Sequence, residues 1–132
     1  MNYQHLLQQH HLKATPQRIA IMERMDLCGH ISIDELYKTI RERFASISLA
    51  TLYKNVHAMM GVNLIREVKL SGQKSKYEID KEPHAHLLCK SCGELKDVEF
   101  NPTSLIEKSI KIEKYSADEV SIVISGTCPK CQ

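Results

Sequence analysis

"SLATLYKNVHAMMGVNLIREVKLSGQKSKYEID", residues 48–80, changes its period partway along. As far as Gly61 the apolar residues Leu49, Leu52, Val56 and Met59 or Met60 recur at helical spacing, and Ser48 stands where a side-chain oxygen would cap the first turn. After Gly61 the segments "NLIREVKL" and "SKYEID" read as strands, joined by the turn "SGQK". A helix that runs straight into a hairpin decides the fold class, provided that enough helices precede it.

They do. "SIDELYKTIRERF" opens with a capping box, Ser32 to Glu35, and places Ile33, Leu36, Tyr37 and Ile40 on one face. Before it, "KATPQRIAIMERM" offers Thr15 as N-cap, Pro16 at the first helical position, and Ile19, Met22 and Met25 as an apolar stripe. Leu6 and Leu7, with His10 or His11 a turn later, suggest a short first helix. Three compact helices with a two-stranded wing make a winged helix-turn-helix, whose last helix before the wing enters the DNA major groove. That helix is expected from about Leu49 to Met60, exposing Ala50, Thr51, Tyr53, Lys54, Asn55 and His57. The alternative is a small helical domain with an ordinary solvated face. Cys28, alone in a helix, reads as a small buried hydrophobe, and His5, His10, His11 and His57 as surface histidines.

Composition shifts at "KEPH", residues 81–84, which reads as a hinge. The expected organisation is a winged-helix DNA-binding domain over 1–80, the hinge at 81–84, and an α/β domain over 85–132, giving an α+β chain. The last part reads as a strand "HAHLLCK", a tight "SCG" turn, a strand "ELKDVEF", a helix capped by Asn101 with Pro102 inside, and a strand "EVSIVISGTC". About fifty residues are too few for an independent core, so this half is expected to pair with its own copy.

The whole chain has 132 residues, 42% of them hydrophobic, with no apolar run long enough to cross a bilayer and no secretory signal at its start. A cytoplasmic location follows as an expectation, with reduced thiols. The net charge of +2 divides unevenly: residues 1–80 hold 11 Lys+Arg against 8 Asp+Glu, and residues 81–132 hold 7 against 8. The tilt towards an anionic partner lies in the first part.

Five cysteines then read as metal ligands plus one spare. Cys89-x-x-Cys92 and Cys128-x-x-Cys131 form two knuckles thirty-five residues apart, enough for a closed, tetrahedral structural zinc site. A redox dithiol would instead call for a CxxC at a helix N-terminus after a strand. His84 and His86 alternate onto one strand face and could meet a second ion; Glu78, Asp80, Glu82, Asp97 and Glu99 are carboxylates near enough in sequence to join them.

With these residues assembled, the sequence resembles the ferric uptake regulator (Fur) family of metal-dependent repressors along nearly its whole length. The resemblance rests on "KATPQR" (13–18), H-x-S-x-DELY (30–37), "ISLATLYKNV" (47–56), "HAHLLCKSCG" (84–93) and "GTCPKC" (126–131). It implies a winged helix joined to a small dimerisation domain, one structural zinc per chain on Cys89, Cys92, Cys128 and Cys131, and a regulatory Fe(II) or Mn(II) site on His30, Glu78, His84, His86 and Asp97. It also implies a homodimer on palindromic operator DNA, with Tyr53 against thymine methyls, Thr51, Lys54 and Asn55 beside it, and Lys13 and Arg18 near minor groove or phosphate.

Asp97 is what the peroxide-sensing (PerR) branch of the family carries, whereas Glu78 departs from that branch's usual aspartate. The further histidine-rich site of iron sensors has no counterpart, since Pro83 and Ala85 fill its positions and no histidine follows His86. The resemblance therefore favours a repressor that senses peroxide by iron-dependent oxidation of His30 or His84, a single event rather than enzymatic turnover, with peroxide the only small molecule consumed. The alternatives are a reversible iron-responsive or other divalent-metal-responsive repressor and, in a different class, a structural zinc-binding interaction protein. A zinc hydrolase would need an open coordination position and a general base.

Overall fold

The computed structural model describes residues 1–99 and 103–132, without the side chains of Thr103 and Leu105. The chain divides into two compact units, Met1–Asp80 and Lys81–Gln132.

The first unit is built from α1 (Tyr3–Gln9), α2 (Pro16–Cys28), β1 (Ile31–Ser32), α3 (Ile33–Arg43), α4 (Leu49–Gly61), β2 (Ile65–Val68) and β3 (Lys76–Ile79). Each helix starts on a short polar side chain. Asn2, Thr15, Ser32 and Ser48 accept from the backbone amides of His5, Arg18, Glu35 and Thr51, satisfying donors that the helix itself leaves free. Asp34 and Glu35 in the first turn of α3, and Arg41 and Arg43 in its last, complement the helix dipole. The chain leaves α2 through Gly29, whose φ of 75° a side chain would strain.

Leu7, Ile21, Met22, Met25, Leu36, Leu52, Val56 and Met59 have no exposed surface and close one core with Ile31, Ile65 and Tyr77 from the sheet. Burying each such Leu, Ile or Met contributes about 1.5–3 kcal/mol. The helices and the β2–β3 hairpin make a winged helix-turn-helix.

Several side chains differ from expectation. Leu49 is 40% exposed, because the first residue of α4 lies outside the packed turn. Tyr37 is half-buried and donates its hydroxyl to the Ile47 carbonyl at 3.2 Å. Cys28 is exposed beside Leu27 at the end of α2, beyond the helix's buried residues Ala20, Ile21, Met22 and Met25. The wing also gains a third strand. β1 pairs antiparallel with β3, giving the order β1-β3-β2.

The second unit holds β4 (Ala85–Cys89), β5 (Leu95–Val98), α5 (Thr103–Glu113) and β6 (Val123–Gly126), in a sheet of order β5-β4-β6. β5 returns antiparallel to β4, while β6 runs parallel to it, with Cys89 opposite Gly126. The last strand is shorter than the apolar run suggests; Ile122 still accepts from the His86 amide at 3.0 Å. Asn101 and Pro102, expected at the start of α5, lie outside the described residues. Among the described residues, no helix is long and apolar enough to cross a membrane.

Candidate metal centres and nucleic-acid surface

Parallel pairing of β4 with β6 carries both CxxC segments to the same end of the second sheet. Cys89 closes β4, and Gly126 opposite it leads within two residues to Cys128. The turn after β4 closes through Gly93, φ 80°, whose amide donates to the Cys89 carbonyl at 2.9 Å. All four sulfurs lie within 4.8 Å of one another, and the Cys92 and Cys128 sulfurs are 3.8 Å apart. Four thiolates bound at about 2.3 Å around a tetrahedral zinc sit about 3.8 Å from each other. The donor set thus has the spacing that zinc requires.

The local electrostatics support this fit. The Cys89 sulfur accepts from the backbone amides of Cys128 at 3.3 Å and Cys92 at 3.5 Å. These bonds, Cys128 first, pull the Cys89 thiol down to about 6. Cys131 is pushed the other way, to about 12, by its contacts with the Cys128 and then the Cys89 sulfur. At Cys92 the Glu94 amide, the largest single influence, lowers the thiol, but the Cys89 sulfur, burial and the Cys128 sulfur together outweigh it and the net shift is upward. Four crowded thiols cannot all ionise without a cation among them, and a divalent ion that prefers thiolate answers that repulsion.

A second set of donors is arranged by strand register. In the first unit Glu78, fully buried, occupies the central strand β3. Ile31 pairs with Tyr77, which sets His30 across from Glu78 on one side, and Arg66 pairs with Glu78 directly on the other. The two carboxylate oxygens divide accordingly: Oε2 lies 3.0 Å from His30 Nε2, and Oε1 lies 3.2 Å from Arg66 Nε.

In the second unit His86 pairs with Asp97 across β4 and β5. Asp97 Oδ1 lies 3.3 Å from His86 Nε2 and 3.6 Å from His84 Nε2, and those two imidazole nitrogens are 3.1 Å apart. His84 Nδ1 is 2.8 Å from the Glu82 carbonyl, which can only accept, so Nδ1 carries the proton and Nε2 is left with its lone pair. That tautomer is the one a ligand histidine needs. The other oxygen of Asp97, Oδ2, is paired with Lys81 Nζ.

Each unit therefore presents its own half of the expected regulatory ligands, His30 with Glu78, and His84 and His86 with Asp97. Sequence reasoning missed Arg66 and Lys81. Their only signal was a cation whose strand or hinge position faces a carboxylate once the register is known.

On the first unit, the candidate DNA-contacting side chains gather around α4. Thr51 and Lys54 are exposed, as is Lys13, while Tyr53, Asn55 and Arg18 are half-buried. Tyr53 packs partly against the core and sits 5.9 Å, ring to ring, from His57. Arg18 donates Nε to Asn55 Oδ1 at 3.1 Å and Nη1 to the Lys13 carbonyl at 3.0 Å, and pairs with no acid among the described residues.

Comparison with known proteins agrees with this assembly. The Ferric uptake regulator family model matches residues 9–125. The ferric uptake regulation protein of Synechococcus elongatus is 31% identical over 128 residues, covering 91% of this chain and 86% of that one. The peroxide-responsive repressor PerR of Staphylococcus aureus is 27% identical, covering 96% and 86%. Among solved structures, the Campylobacter jejuni peroxide stress regulator superposes with a TM-score of 0.76 at 35% identity, covering 99% of this chain and all of that one. With its winged helix, its α/β unit and both donor sets accounted for, the chain belongs to the ferric uptake regulator family of metal-responsive transcriptional regulators.

Proposed function

We propose that this protein is a homodimeric repressor of palindromic operator DNA that holds one structural zinc per chain and releases DNA when peroxide oxidises a histidine ligand of its regulatory metal. It acts in the cytoplasm. Cys89, Cys92, Cys128 and Cys131 hold the zinc; His30, Glu78, His84, His86 and Asp97 hold Fe(II) or Mn(II). Because His30 and Glu78 precede the 81–84 hinge while His84 ends it and His86 and Asp97 follow it, an ion taking all five fixes the angle between the two domains. Two DNA-binding heads of a dimer then match successive half-sites, with Lys13, Arg18, Thr51, Tyr53, Lys54 and Asn55 facing the duplex.

The dimer reading is supported by the apolar surface of the second unit. Leu87 and Ile124, paired across β4 and β6, are 41% and 53% exposed, and Ile112 and Tyr115 of the α5 region are more exposed still. A second copy of the chain covers such a face in a symmetric oligomer.

Asp97 carries the choice of peroxide. It stands against both His84 and His86, and the C. jejuni regulator named for peroxide stress matches the chain end to end. Iron supplies, when bound, one electron to peroxide and regains one from the oxidised ring, so that overall one peroxide oxygen enters an imidazole C–H bond and the other leaves as water. The chain supplies the imidazole that takes up one oxygen, and His84, held by the Glu82 carbonyl, no longer serves as a ligand once modified. Glu78 and the Synechococcus relative favour a second reading, a reversible iron-responsive repressor.

Intact-mass analysis after a brief, low dose of peroxide separates the two. A gain of one oxygen, about 16 Da, on His30 or His84 in Fe(II)-loaded but not Mn(II)-loaded protein supports peroxide sensing. No gain on histidine, with operator binding retained, leaves the reversible sensor.

A further inference from the structure

Both carboxylates of the proposed regulatory site share one arrangement. Each turns one oxygen towards imidazole and the other towards a side-chain cation of its own unit, Glu78 Oε1 and Arg66 Nε meeting as an ion pair without hydrogen-bond geometry. Glu78 gives Oε2 to His30 and Oε1 to Arg66; Asp97 gives Oδ1 to His84 and His86 and Oδ2 to Lys81. The pairs differ in setting. Glu78 has no exposed surface and the Arg66 side chain is 21% exposed, whereas Lys81 and Asp97 are 45% and 33% exposed.

A carboxylate can bind a divalent ion through one oxygen or two, and the second mode needs both lone-pair edges facing the ion. An arginine or lysine on the outer oxygen removes that option and places a positive charge near the incoming cation. We propose that Arg66 and Lys81 are positioning residues that hold Glu78 and Asp97 to one metal-facing oxygen each. They set the coordination number of the regulatory ion and weaken its binding, which keeps the site exchangeable. The proposal rests on the reading of Glu78 and Asp97 as ligands of that ion.

The test uses full-length protein with zinc already filling the four cysteines, titrated with Co(II) and followed by its d–d absorption, alongside Mn(II) affinity by calorimetry. Wild type is expected to bind one Co(II) without a thiolate charge-transfer band. Lys81→Met, on an exposed pair that the fold does not depend on, is expected to bind Mn(II) about three- to tenfold more tightly. Its Co(II) absorption should weaken, since a second carboxylate oxygen raises the coordination number, and Lys81→Arg should restore both values. Arg66→Met should act in the same direction if it folds; if it does not, Lys81→Met decides. Unchanged absorption and affinity in Lys81→Met would overturn the inference alone. Failure of wild type to bind Co(II) outside the cysteines, or an identical spectrum in His86→Ala, removes the ligand reading and the inference with it.

Discussion

Arg18, in the first turn of α2, donates its Nε to the Oδ1 of Asn55, a half-buried residue of α4, at 3.1 Å. Its Nη1 also reaches the Lys13 carbonyl at 3.0 Å. One guanidinium thus ties the segment before α2 to the middle of α4. With Oδ1 engaged, the Asn55 amide is oriented, and its NH2 remains as the donor end that can meet a base or phosphate acceptor.

Arg18→Gln and Asn55→Ala are each expected to lower operator affinity about 10- to 100-fold. The double variant should fall short of the product, with a coupling of about 0.5–3 kcal/mol, because either change alone already releases the other side chain. Fluorescence anisotropy with a labelled operator and saturating Mn(II) measures the cycle. Fully additive losses would mean that the two residues contact DNA independently and that the bond between them is incidental.

What was legible in the chain was mostly local. Thr15, Ser32 and Ser48 announce their helices through short-range chemistry, and the change of period at Gly61 marks where α4 yields to the hairpin. The paired CxxC segments are equally direct. β1 escaped notice because two residues, Ile31 and Ser32, are too few to show alternation, and Ser32 was already accounted for as a cap. Without β1 nothing sets His30 beside Glu78, so that pair came from family resemblance rather than from pattern. Arg66 and Lys81 were invisible for a related reason: a cation finds its carboxylate through strand register and hinge path, which no single segment encodes.

The exposed apolar pair on the second sheet gives a further prediction. Leu87→Asp with Ile124→Asp places two carboxylates where β4 and β6 run side by side, and like charges resist being covered by a partner. The variant is expected to elute as a monomer by size-exclusion chromatography with light scattering, while keeping its zinc. Operator affinity should drop by about two orders of magnitude or more, as the second half-site is no longer held nearby. A dimer of unchanged stability would place the interface elsewhere.

Cys128 joins the two knuckles, since its amide bonds the Cys89 sulfur and its own sulfur lies 3.8 Å from that of Cys92. Cys128→Ser is expected to reduce zinc from one per chain towards none. The second unit should lose stability on the order of 5 kcal/mol or more, because binding of a structural zinc is also folding free energy. Metal analysis and denaturant unfolding read the two effects separately. Full retention of zinc would mean that three cysteines suffice.

The thiols of the four-cysteine set also fix how zinc binding depends on pH. Cys89 is pulled down to about 6 by the amides of Cys128 and Cys92, so it is already ionised at neutral pH and gives up no proton to zinc. Cys131 is held up to about 12 by the Cys128 and Cys89 sulfurs, and Cys92 is raised as well, so both must be deprotonated by the metal. Calorimetry in buffers of different ionisation enthalpy should therefore find at least two protons released per zinc near pH 7.5, with affinity rising as pH rises. The same shifts govern the metal-free fold. Cys89 binds its proton more weakly folded than unfolded, so its contribution is present above its ordinary value of 9.0 and is lost as pH falls through about 6. Cys131 runs the opposite way, contributing below 9.0 and losing that contribution as pH climbs towards about 12. The thiols thus favour the metal-free second unit most near pH 9, falling off on both sides. Thiolate absorbance of metal-free protein should show one early ionisation that Cys89→Ser abolishes and Cys131→Ser does not. A single step near pH 9 for all four thiols would contradict the amide-to-sulfur bonds on which the account rests.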